Sequence, residues 1–185
     1  MIYFKRNILV SVTWILLAAL LGEPVRASTD PPQTRIENYP NGSLHFKFEV
    51  DVNDQPHGWL REYSPGGLLK AEHQYEHGVR HGISRLYYTT GELMTEWNYR
   101  DGERNGPSLG YYKNGRLKDR GIYRDDKLEG PVEKFYPNGV LKTRMHFKED
   151  RPEGLAITYD PNGQAEFVYY YQKGRVVQRE DRRAR

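Results

Sequence analysis

In this 185-residue chain, the residue types best suited to chemistry are six histidines and a set of recurring carboxylates. His73, His77 and His81 fall four apart, a spacing that gathers metal ligands on one face of a helix. Here the three span a strand end and a polar loop, so the spacing gathers nothing. His57 and His81 hold equivalent positions in neighbouring copies of a repeat. If each copy is a hairpin they lie about 10 Å apart, too far to share an ion whose ligand bonds are near about 2 Å. No metal and no other cofactor is expected. Glu72 and Glu96 recur with the repeat, and a repeated carboxylate marks a solvated sheet face. Acid–base catalysis needs one asymmetric constellation in a pocket. The absence of cysteine removes thiolate metal sites, cysteine nucleophiles and disulfides. The chain is therefore read as a non-enzyme.

The aromatic residues are the better candidates, with fifteen tyrosines against six phenylalanines. Tyr63, Tyr87, Tyr111, Phe135 and Tyr159 form one column, and Tyr75, Tyr99, Tyr123, Phe147 and Tyr171 a second. Such columns can hold a thin sheet together through cross-strand contacts. They can also serve as a docking face, because a single layer cannot cover its own apolar side. Both roles are compatible. Of the tryptophans only Trp59 and Trp97 lie in the repeats, which weakens a comparison with tryptophan-paired modules that bind cell-wall sugar or choline.

These residues are positioned by a repeat. A glycine is followed five residues on by an aromatic, nine on by a second glycine, eleven on by leucine and seventeen on by another aromatic. The first glycine recurs every twenty-four residues, at Gly58, Gly82, Gly106, Gly130 and Gly154. The second recurs at Gly67, Gly91, Gly115, Gly139 and Gly163, and Gly42 serves a degenerate first copy, Tyr39-Pro40-Asn41-Gly42. The spacing from Gly42 to Gly67 carries one extra residue, placed in the loop near Asp51 to Gln55. YSPGG, YYTTG, YYKNG, FYPNG and YDPNG are type I turns ending in a glycine of positive φ, so each unit is a β-hairpin.

The turn sets which residues face each other. Tyr63 is expected opposite Leu69, Tyr87 opposite Leu93, Tyr111 opposite Leu117, Phe135 opposite Leu141 and Tyr159 opposite Ala165. By simple alternation the outer pairs on the same face are Ile83 with Trp97, Trp59 with His73, Pro131 with Met145 and Leu155 with Tyr169. Lys70, Glu72, Gln74, Glu96, Asn98, Lys118, Arg120, Lys142 and Arg144, with Met94 and Val168, then point the other way. The links YEHGVRHG and YRDGERNG read as polar loops. A lone hairpin is marginal in water, so the hairpins must pair edge to edge. The expected fold is all-β: an elongated, twisted single-layer antiparallel sheet of tandem 24-residue hairpins, six of them making a ribbon about 55 Å long.

Residues 1–27 read as a secretory signal peptide: Lys5 and Arg6, an apolar run, then Val25 and Ala27 three and one before the cut. Residues 28–38 are linker with a first partial strand, 39–174 the repeat domain and 175–185 a charged, solvated tail. Of the net charge of +3, two charges fall in residues 1–27. The remainder is close to neutral and gives no argument for nucleic acid. The chain is expected to be exported, to the periplasm or beyond the cell.

The pattern Gly-x4-Tyr-Tyr-x-Asn-Gly-x-Leu followed by Tyr-x2-Gly-x3-Gly, as in GPVEKFYPNGVLKTRMHF and GPSLGYYKNGRLKDRGIY, resembles the MORN repeat and most closely its bacterial variant. The resemblance covers roughly Tyr39 to Gly174. It implies a hairpin sheet used as a scaffold or interaction surface without catalysis of its own. Some bacterial members are labelled antitoxin components, and eukaryotic relatives are associated with membranes. The expected function is an exported scaffold that binds a protein partner. The alternatives are peripheral binding to lipid or cell-wall polymer, and an antitoxin-like component that neutralises a toxin.

Overall fold

A computed structural model describes residues 31–183, so the signal-peptide reading of residues 1–27 lies outside the described residues. The described residues form one open sheet of thirteen antiparallel strands in sequence order. The strands are β1 (Gln33–Asn38), β2 (Leu44–Val50), β3 (Pro56–Tyr63), β4 (Leu69–Glu76), β5 (Val79–Tyr87) and β6 (Leu93–Arg100). They continue as β7 (Glu103–Tyr111), β8 (Leu117–Arg124), β9 (Lys127–Phe135), β10 (Leu141–Lys148), β11 (Arg151–Tyr159), β12 (Ala165–Gln172) and β13 (Arg175–Asp181). Six hairpins and one further strand therefore make up the layer, about 58 Å across at the usual strand spacing.

The turn chemistry holds as read. In the β5–β6 hairpin the Gly91 amide donates to the Tyr88 carbonyl at 2.9 Å and the Tyr88 amide to the Glu92 carbonyl at 2.8 Å. Tyr87 pairs with Leu93, and the equivalent pairs of the other four repeats are formed as well. The extra residue of the first unit lies in the Asp51–Gln55 turn, where Val50 pairs with Pro56.

The outer register differs from simple alternation. Immediately beyond Tyr87–Leu93 the next pair is Leu86 with Thr95, leaving Met94 unpaired in a bulge. Lys70, Lys118, Lys142 and Glu166 occupy the same bulge in the other repeats. One extra residue shifts every later pair by one and turns the following side chains over. Ser84, not Ile83, therefore pairs with Trp97, Leu60 with His73, Val132 with Met145 and Ala156 with Tyr169. Glu72, Glu96, Arg120 and Arg144 consequently share a face with the Tyr63 column instead of opposing it.

The links are not loops. Each is a second hairpin closed by a two-residue turn with both residues at positive φ: His77-Gly78, Asp101-Gly102, Asp125-Asp126, Glu149-Asp150 and Lys173-Gly174. This is the type I′ geometry, which suits the twist of the flanking strands. Each turn donates to the strand of the preceding link, as from the Gly102 amide to the Arg80 carbonyl at 2.9 Å. The first glycine of each repeat follows the turn. Gly106 sits with Asn105 and Pro107 opposite Asn98, between the pairs Tyr99–Arg104 and Trp97–Ser108, at φ 116°.

β1, Gln33–Asn38, lies in the segment read as linker with a first partial strand, while the far end of the sheet carries more structure than the sequence suggested. The charged tail supplies β13, paired along β12 and entered through the same type of two-residue turn. The open edge of β12 takes the added strand, and Arg179 lies 4.2 Å from the centre of the Phe167 ring.

Because the described residues form a single layer, burial among them is slight. The buried apolar side chains are Val50, Ala71, Ala156 and Val168, while the aromatic columns are half-buried.

Candidate functional site

The bulges decide what the aromatic columns are. Tyr87 donates its hydroxyl to Glu72 Oε1 at 2.8 Å, which places the Tyr63, Tyr87, Tyr111, Phe135 and Tyr159 column on the face of Glu72. Three residues along β4, an odd step, Tyr75 points to the opposite face. Its pair Arg80 donates to the Tyr75 hydroxyl at 3.3 Å and lies 5.4 Å from the centre of the Tyr99 ring. Tyr75, Tyr99, Tyr123, Phe147 and Tyr171 thus form a separate column on the other side. The ten residues read together as one aromatic face are divided between two.

The first face combines aromatic rings with fixed charge. Arg85 bridges Glu72 on one side at 3.1 Å and Glu96 on the other at 2.7 Å, and Arg61 reaches Glu72 at 3.3 Å. Farther along, Glu133 is held between Arg120 and Arg144. Burial pushes the Glu72 carboxyl up, but hydrogen bonds from Tyr87, Arg85 and Arg61 outweigh it and hold the group below the usual carboxylate range. The same balance holds Glu133 down. Burial and the bond to Glu72 push the Tyr87 phenol up to about 12. The Leu69, Leu93, Leu117 and Leu141 row lies beside the rings as their cross-strand partners.

On the second face Arg104 lies 4.0 Å from the centre of the Tyr123 ring. Burial and the positive charge of Arg80 depress the His73 imidazole to about 4, so it is neutral at neutral pH. Toward the last hairpin Phe167, Tyr169 and Tyr171 continue as tilted neighbours, with ring centroids 6.0 and 6.4 Å apart.

A third tyrosine row escaped the sequence reading. Tyr39, Tyr88, Tyr112 and Tyr136 donate their hydroxyls to the backbone carbonyls of Tyr63, Tyr111, Phe135 and Tyr159, at 2.6 to 2.8 Å. Each ties one hairpin to the next. The doubled aromatic in YYTTG, YYKNG and FYPNG was the available signal, but the partner is a backbone atom and leaves no trace in sequence.

Along the edge formed by the links, the residue before each first glycine faces the next turn. Asn105 donates to Asp125 at 2.7 Å, while Glu129 and Glu153 accept from the Glu149 and Lys173 amides at 3.0 and 2.8 Å. At the first such position His57 meets His77, ring centroids 4.8 Å apart, with His77 Nδ1 2.7 Å from Asp51 Oδ2. The histidine that His57 meets is therefore His77, not its repeat equivalent His81. One concavity among the described residues is lined by Tyr159, Asp160, Gln164 and Arg183.

An unlayered sheet of hairpins, tied residue by residue to its neighbours and presenting two aromatic faces, defines a repeat scaffold. Residues 80–101 and 128–149 match the family model described as MORN repeat variant, each match running from the start of one hairpin to the turn that leaves it. These two stretches are MORN repeats, and the other hairpins share their spacing. MORN repeats are commonly protein- or membrane-binding modules. No curated protein matches the chain.

Proposed function

We propose that the chain is an exported, non-enzymatic scaffold whose Tyr63–Tyr159 face binds a protein partner in the cell envelope or outside the cell. The observation that carries this reading is the Arg61–Glu72–Arg85–Glu96 row lying beside the tyrosines of that face. Half-buried aromatics next to pre-positioned arginines are the composition of protein-interface cores. The row alternates in sign, so it offers little net attraction to an anionic lipid surface. Export rests on the basic, apolar and small-residue pattern of residues 1–27.

The test is cross-linked capture from envelope extract with the chain and with a Tyr87, Tyr111, Phe135→Ser variant verified as folded by circular dichroism. One defined protein held by the parent and released by the variant supports the reading. Equal capture by both removes the face from consideration. Salt-sensitive sedimentation with anionic liposomes would favour the lipid alternative. Amino-terminal sequencing of the exported chain checks for a start at Ser28.

A further inference from the structure

The MORN-like scaffold repeats its chemistry along much of the link edge, and it departs from that pattern at the Asp51–His57–His77 cluster. We propose that these three side chains form a binding site for a divalent transition-metal ion, with Zn2+ the best match. One ligand atom from each residue lies within 4.8 Å of the other two. Two imidazoles and one carboxylate are a donor set suited to zinc, leaving one coordination position for water.

Four features raise the cluster above a chance grouping. The Asp51 carboxylate is prepared: Oδ1 accepts from the Asn53 and Gln55 amides at 2.9 and 3.0 Å, leaving Oδ2 for His77. Its side chain is only 9% exposed. His57 is uncommitted, since its Nδ1 is enclosed without a hydrogen-bond partner among the described residues. Of the equivalent positions, Asn105–Asp125, Glu129–Glu149 and Glu153–Lys173 are closed by direct hydrogen bonds, while His81 stands 3.6 Å from Glu76 and 3.7 Å from Asp101.

The fourth feature is the sequence interruption itself. Asp51 opens the one turn of the link edge that is lengthened, and that turn carries Asp51 to the His77 side chain. Tetrahedral zinc places its ligand atoms about 3.4 Å apart, so the separations, now up to 4.8 Å, must close by as much as about 1.4 Å while the 2.7 Å Asp51–His77 contact opens. His77, with a side chain 67% exposed, is free to make that movement. The bound ion would clip the β2–β3 turn to the β4–β5 turn and stiffen the end of the ribbon.

The test uses the full, tag-free chain stripped with chelator. Zn2+ binding is measured by competition with a chromogenic indicator, beside Asp51→Asn, His57→Asn, His77→Asn and the control His81→Asn. One equivalent is expected for the parent and the control, with affinity lowered at least about 100-fold in the other three, more than loss of an outer-shell partner costs. Added Zn2+ should raise the unfolding midpoint of the parent and control only. Should a variant fail to fold, Co2+ added to the unaltered chain decides: a tetrahedral visible absorption band supports the site, and its absence overturns it. No uptake by the parent, or uptake unchanged in the three variants, likewise overturns it.

Discussion

The Tyr87 hydroxyl on β5 reaches across to Glu72 Oε1 on β4 at 2.8 Å, joining an aromatic column to the charged row of the same face. Glu72 is 8% exposed, so its charge depends on these donors. Tyr87→Phe should destabilise the sheet by about 1.5–3 kcal/mol, the range for a hydrogen bond to a charged group. The carboxyl is depressed in the fold, so its contribution is complete above the unfolded carboxylate pKa and is lost as pH falls through the folded one. Removing the donor should raise the Glu72 titration midpoint, read by carboxyl NMR; an unmoved midpoint would show that the bond is not made in solution.

Tyr112 donates to the Phe135 carbonyl at 2.6 Å and so joins the β7–β8 hairpin to the next. Tyr112→Phe keeps the ring and deletes only the tie. A loss of about 1 kcal/mol is expected in urea unfolding, with backbone exchange quickened near Phe135 and little changed at β1. Uniformly quickened exchange would contradict a stability built from neighbouring repeats.

His73 supplies a pH dependence at milder acidity. Its folded pKa of about 4 lies below the ordinary 6.5, so between these values the unfolded chain binds the proton and the folded chain does not. Stability should therefore decline as pH falls from 6.5 toward 4 and be complete above that window. In chelator, His73→Asn should flatten the thermal midpoint over this range. An equally steep profile in the variant would assign the dependence elsewhere.

Gly106 lies at φ 116°, and a Cβ there would stand 3.2 Å from Asn98 Cβ. Gly106→Ala should cost about 1–3 kcal/mol. Far-ultraviolet circular dichroism with chemical denaturation measures it, and a neutral result would mean that the link relaxes to another register.

The reach of the sequence is clearest at particular residues. Gly91 revealed its turn and Tyr87–Leu93 its pairing, because short-range backbone sterics decide both. Met94 offered no such signal: a bulge is fixed by how two strands settle against each other, and it redirected Glu72, Glu96 and both tyrosine columns. Asp101-Gly102 did carry a turn signature, but the polar residues around it concealed a second hairpin.

The twenty-four-residue period by itself determined the all-β class, the single layer and the strand count to within one strand, because a repeated local unit that cannot bury its own apolar face must stack on copies of itself. Only the tertiary structure decided which side chains share a face. It also decided that the charged end becomes β13 and that Asp51, His57 and His77 meet. Those outcomes depend on one-residue shifts and on contacts between neighbouring hairpins, where side-chain direction reverses with each step along the strand and composition records nothing.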